Sequence, residues 1–117
     1  VINKGEHYVG VPAVIDKDRL SALLAIEMQV DALIISTAID AVRTGFGTGG
    51  EQTHHTMTVE QAKSHLASGE FPAGSMGPKV ESAIEVVEKL GNVKSIICQP
   101  GDAVKALRGD SGTNFVK

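Results

Sequence analysis

Two short segments carry residue types that could act on a charged ligand. The first is Gly74-Ser75-Met76-Gly77-Pro78-Lys79, which directly precedes a run of helical periodicity. Small residues let a backbone approach a ligand closely, and the unpaired N–H groups of a helix start suit an anion. Lys79 falls in the first turn, against the helix dipole. That placement costs roughly a few tenths of a kcal/mol unless an anion or carboxylate compensates. The second segment, Asp16-Lys17-Asp18, ends an apolar run. At the carboxyl edge of a sheet, a lysine can act as a point charge on a transferring phosphoryl group. A neighbouring carboxylate can then hold that lysine or coordinate Mg²⁺. The plainer alternatives are that Asp16 or Asp18 caps the following helix, and that Lys79 is a solvated lysine at an ordinary Gly/Pro helix entry.

Three other features promise less. Gly45-Phe46-Gly47-Thr48-Gly49-Gly50 satisfies G-x-G-x-x-G, but no helical pattern follows it, so the dinucleotide fingerprint lacks its context. His54 and His55 are adjacent, and on an extended segment neighbours point to opposite faces; no Cys or third clustered His completes a metal-ligand set. They read as loop histidines, and no metal site is expected. Cys98 follows an apolar strand and reads as a small residue at the core edge, without a base to activate it. A single cysteine cannot form an internal disulfide, which fits a reducing, cytoplasmic setting.

The elements that must position these segments read as an α/β layered sheet. Pro12 to Ile15 form an apolar run expected as a strand. Leu20, Leu23, Leu24 and Met28 then recur at helical spacing, with Ala22, Ile26 and Val30 on a second stripe, which predicts a helix buried on more than one side. Ala32-Leu33-Ile34-Ile35 lacks alternation and reads as a parallel strand covered on both faces, completing a βαβ unit. Asp40 to Met57 loosens into glycines and polar residues, a hairpin or an excursion outside the sheet. Thr58-Val59-Glu60-Gln61 has the form of a capping box, predicting a helix from about Val59 to Ala67 that stops near Gly69. Phe71 to Gly77 is a connector, and Pro78 suits the first position of a helix through Leu90, with Gly91 as its stop. A strand over Val93 to Ile97, a short helix from Asp102 through Leu107 ended by Gly109, and a final strand over Thr113 to Val116 complete the order.

The chain has 117 residues, 42% of them hydrophobic, enough for one modest domain. Three Phe, one Tyr and no Trp leave the core to aliphatic residues and supply no stacking platform for single-stranded nucleic acid. A net charge of -3 gives no general attraction to nucleic acid or anionic membranes, and no apolar stretch approaches the roughly 20 residues needed to span a bilayer.

Taken together, Ala13-Val14-Ile15-Asp16-Lys17-Asp18, Ser36-Thr37-Ala38-Ile39-Asp40-Ala41-Val42 and Phe71 to Glu81 resemble carbamate kinase, a branch of the amino acid kinase family. The resemblance covers about His7 to Thr113 and is to the carboxyl-terminal, nucleotide-binding half. It implies a layered, mostly parallel sheet flanked by helices, with the chain as one lobe and an amino-terminal lobe or complementary subunit elsewhere. The implied activity transfers a phosphoryl group between carbamoyl phosphate and ADP, or from ATP to carbamate in reverse, in a homodimer linked to arginine metabolism. Mg²⁺ would be held mainly by the nucleotide phosphates. By resemblance, Asp16 organises the active-site lysines, Lys17 contacts the transferring phosphoryl group and Lys79 neutralises the nucleotide phosphates. Ser75, Met76 and Gly77 line the nucleotide pocket, with Thr37, Ala38 and Val42 near base and ribose. The chain departs from the family at Ala38 and Arg43, where a carboxylate and an aromatic ring are usual, and at Gly45, where Asn is common. Those departures motivate a second expectation, a non-catalytic binding or assembly module.

Overall fold

The computed structural model describes residues 1–45 and 47–117. The chain opens with a small antiparallel ribbon, β1 (Ile2–Asn3) and β2 (Tyr8–Val9). Residues 12–15, expected as a strand, pair with no strand among the described residues and are exposed. An apolar run becomes a strand only where a neighbour takes up its backbone groups, and here none lies alongside. The βαβ unit is therefore missing its first strand. Helix α1 (Lys17–Met28) starts at Asp16, whose carboxylate accepts from the N–H groups of Asp18 and Arg19. Of its two apolar stripes only one is covered: Ala22 and Ala25 are buried, while Leu20, Leu23, Leu24 and Met28 are exposed. Periodicity groups residues on a face without saying which faces find a partner.

Strand β3 (Ala32–Ser36) follows, then the antiparallel hairpin β4 (Val42–Thr44) and β5 (Gln52–His54), and β6 (Thr56–Thr58), which belongs to the main sheet. Helix α2 (Val59–Ala67) has the expected capping box, with Thr58 Oγ1 accepting from Gln61 N–H and the Gln61 side chain accepting from Thr58 N–H. Helix α3 (Met76–Leu90) begins two residues before Pro78, which stays in the first turn where its missing N–H costs nothing. Gly91, at φ 73°, ends it. Strand β7 (Lys94–Cys98), helix α4 (Ala103–Leu107) and strand β8 (Thr113–Val116) close the chain. Asp102 precedes α4 without capping it through its side chain, because its carboxylate accepts from Gln99 and Ser111 instead.

The main sheet runs β3-β7-β8-β6, with β3/β7 and β6/β8 parallel and β7/β8 antiparallel. It is a mixed, mostly parallel α/β sheet flanked by helices. β3 lies at its edge, so Ala32, Leu33 and Ile34 are only half-buried, contrary to a strand covered on both faces. The pleat of β7 divides the core. Ile97 joins Met57, Val80, Ile84, Val87 and Phe115 in the cluster around α3, and Ser95 Oγ donates to Ala83 O of that helix at 2.8 Å. Ile96 and Cys98 pack with Ala106 of α4 in a separate cluster. Helix α1 rests on α3 through Ala22, Ala25 and Val86, which brings the starts of the two helices together. Among the described residues, no helix is long and apolar enough to cross a membrane.

Candidate functional site

The adjacent starts of α1 and α3 border a cavity of about 510 Å³ walled by Asp16, Lys17, Asp18, Gly74, Ser75 and Lys79. The two segments singled out in the sequence therefore meet. The Asp18 carboxylate, 9% exposed, lies 3.2 Å from Lys79 Nζ, whose side chain is 12% exposed, and 3.7 Å from the exposed Lys17 Nζ. Asp18 sits favourably in the first turn of α1, and it supplies the compensation that Lys79 needs in the first turn of α3. The carboxylate touching both lysines is thus Asp18. Asp16, which the resemblance cast as their organiser, caps α1 through one carboxylate oxygen and also lines the cavity.

Two of the backbone N–H groups near Gly77 are already taken within the turn. Those of Ser75 and Gly77 both donate to Pro72 O, at 3.2 and 2.9 Å. Gly77 is buried, and a Cβ there would meet Pro72 O at 3.0 Å, so this glycine serves the tight turn into α3. Positive charge in the cavity comes from lysine side chains.

A second cavity, of about 390 Å³, is walled by Thr37, Ala38, Arg43, Glu70, Phe71 and Met76, and Ser75 borders both. Thr37 N–H donates to Cys98 O at 2.8 Å, fixing the end of β3 against β7. Val42 is not part of this wall. It is fully buried in the main core and its N–H donates to Thr113 Oγ1 at 2.8 Å, because the side chains of β4 alternate and its neighbour Arg43 takes the outer side. Arg43 Nη1 donates to Glu51 at 3.0 Å and Nη2 to Asp40 at 2.9 Å. These two hydrogen bonds, Glu51 first, hold the guanidinium still more firmly protonated than usual. Glu70 accepts from Gly45 N–H at 2.9 Å, tying the hairpin to the connector before α3.

The histidines point apart as expected. His54 Nε2 lies 2.7 Å from Thr44 Oγ1 with its ring beside His65, whereas His55 Nδ1 faces Gly112 O at 3.2 Å. Burial, then the charge of His65, lowers the pKa of His54. Among the described residues, no three His, Cys, Asp or Glu side chains group as a metal site. Cys98 is buried and its thiol pKa is raised by burial and then by Asp102, so it is a poor nucleophile. The glycine motif lies in the β4–β5 connection. Phe46 is outside the described residues, and a Cβ at Gly45, φ 69°, would strike Gly50 O at 2.7 Å, which marks a turn glycine. Glu51 and Glu70 went unrecognised in the sequence because Glu51 meets Arg43 only through the β4–β5 pairing, whose register the loose pattern of residues 40–57 did not reveal, and the partner of Glu70, Gly45, is 25 residues away.

Fold and cavities together define a layered α/β domain with a lysine-bearing polar cavity at two helix starts, and a more apolar one at a strand end that shares Ser75 with it. A model of the amino acid kinase family matches residues 1–99, and the chain belongs to that family. It is 45% identical over 116 residues to a carbamate kinase of Halobacterium salinarum, covering 99% of this chain and 38% of that protein. It is 42% identical over 117 residues to a carbamate kinase of Staphylococcus haemolyticus, again covering 38% of it. Among solved structures, carbamate kinase from Giardia lamblia bound to AMP-PNP superposes with a TM-score of 0.92 at 36% identity, over 98% of this chain and 36% of that one. A uridylate kinase from Archaeoglobus fulgidus, with a TM-score of 0.64 at 18% identity, shares the fold. The chain spans about 38% of the length of the curated relatives it matches.

Proposed function

We propose that this chain forms the nucleotide-binding part of a carbamate kinase-like phosphotransferase. Its reaction moves a phosphoryl group between carbamoyl phosphate and ADP, or from ATP to carbamate in reverse. The observation that carries this reading is the meeting of Lys17, Asp18 and Lys79 around one cavity, with Ser75 lining both it and a second, more apolar one. A nucleotide has that same division, with charge at one end and a flat ring at the other. In this reading Lys79, fixed by Asp18, neutralises nucleotide phosphates in the ground state. Lys17 is exposed beside Asp18 and, in this reading, meets charge that develops on the transferring group. Phosphoryl transfer needs such positioned cations more than a covalent nucleophile. In this reading Mg²⁺ arrives with the nucleotide, held mainly by its phosphates. The reading also places the carbamate end in the length of the relatives that this chain does not span, in a cytoplasmic homodimer.

The test is steady-state ATP formation from ADP and carbamoyl phosphate by the complete protein that carries this chain. Lys17→Ala should lower kcat by roughly 10²- to 10³-fold, typical of losing one electrostatic stabiliser, while nucleotide affinity changes less. Lys17→Arg should rescue only in part, because a planar fork replaces a compact charge. Lys79→Ala should weaken nucleotide binding as well. An unchanged kcat in Lys17→Ala removes that residue from the mechanism, and absence of turnover in the parent favours a non-catalytic binding module.

A further inference from the structure

We propose that the sheet face turned away from α3 carries a binding site for inorganic phosphate, in a cavity between the end of α4 and strands β6, β7 and β8. The cavity holds about 200 Å³, room for a tetrahedral oxyanion, and shares no wall residue with the two cavities described above. Strand register builds its floor. Asn114 of β8 stands opposite Thr56 of β6 and Ile96 of β7, and all three border the cavity. The pleat sends them to the side opposite Met57, Phe115 and Ile97, which pack around α3. Ile96 meets Ala106 of α4 there.

Two observations fix the chemistry of the ligand. Lys94 and Arg108 border the cavity and no carboxylate does. Among the described residues neither of these cations makes an ion pair, so their charge is not yet compensated. Lys94 Nζ donates one N–H to Leu107 O at 2.8 Å, which anchors it at the end of α4 and leaves two N–H groups for a ligand. The second observation is an acceptor. Asn114 Oδ1 is buried without a hydrogen-bond partner, a state that is costly unless something donates to it. The site therefore asks for negative charge and an O–H group in one small molecule. Phosphate near neutral pH has both, since it is an anion that keeps a proton. Sulfate has the same shape but keeps no proton, and it would set a lone pair against Asn114 Oδ1. A phosphate monoester loses its last proton at about pH 6 and is disfavoured above that on the same ground.

Titration calorimetry on the complete protein that carries this chain tests the site, with phosphate, sulfate and methyl phosphate as probes at about pH 7.5, where the monoester has no proton left. The reference protein carries Lys17→Ala and Lys79→Ala, which removes the lysine charge of the other polar cavity. It should bind phosphate on the order of tenfold more tightly than sulfate or methyl phosphate. Adding Asn114→Leu should weaken phosphate and bring the phosphate:sulfate ratio close to one. Adding Arg108→Gln, at an exposed position where the fold is not at risk, should weaken phosphate and sulfate together, on the order of tenfold, and leave their ratio unchanged. Equal binding of phosphate and sulfate by the reference protein would overturn the proposal, as would phosphate binding that Arg108→Gln leaves untouched. If phosphate binds only while Lys17 and Lys79 are present, it occupies the other cavity; this inference then falls and the nucleotide reading stands.

Discussion

The two ends of the cleft are built on different principles. At the lysine end, charges sit nearly buried at the starts of two helices packed on one another, so the ion pair of Asp18 with Lys79 is part of how α1 meets α3. At the apolar end, the wall is one face of a hairpin anchored to the core by Val42 and tied to the α3 connector by Glu70, and its ion pairs are half-exposed. At the first end the ion pair is part of the helix packing itself. The second can change its side chains while the fold stays as it is, which fits the placement of the departures from the family pattern at Ala38 and Arg43 and not at Asp16–Asp18 or Gly74–Lys79.

The contrast is broken most sharply at Asp18. Asp18→Asn leaves the Lys79 ammonium nearly buried and unpaired, and should cost about 3 kcal/mol in urea unfolding. The double variant Asp18→Leu with Lys79→Met should regain most of that loss. A single variant as stable as the parent would mean that the pair is not coupled to helix packing. Gly77→Ala should be next, destabilising by about 2 kcal/mol as its methyl group presses on Pro72 O. Little loss of stability there would show that the connector yields easily, and would make the lysine end as pliant as the hairpin.

At the apolar end the same kind of substitution should hardly register in stability. Arg43→Ala breaks two ion pairs, yet its melting temperature should stay close to that of the parent because exposed pairs contribute little. A fall comparable to that of Asp18→Asn would erase the distinction between the two ends. The smallest effect belongs to His54. Its folded-state pKa lies below the ordinary histidine value, so the unfolded chain binds the proton more readily and folding is favoured above the unfolded-state pKa. That stability should be lost as pH falls from about 6.5 through the lowered value, visible as a small drop in melting temperature that His54→Gln abolishes. A drop of the same size in the variant would assign the effect to another group.

What the sequence determined on its own was local. The Thr58–Gln61 box, the turn glycines at 69, 91 and 109 and the periodicity of α3 each act within a few residues, so their consequences for helix limits could be read directly. The segments with chemical promise were legible for the same reason, since Asp16-Lys17-Asp18 and Gly74 to Lys79 are compact strings. The tertiary structure decided everything that depends on a partner far along the chain. Asp18 and Lys79 are 61 residues apart, and only the packing of α1 on α3 selects Asp18 over Asp16 as the lysines' carboxylate. The pairing of Val42 with Thr113, 71 residues away, puts that side chain in the core and leaves Arg43 to the cleft. The apolar run at residues 12–15 and the leucine stripe of α1 carry the right periodicity and stay exposed. Hydrophobic pattern tells a segment which residues share a face, but burial requires a second surface, and only the folded arrangement supplies or withholds it.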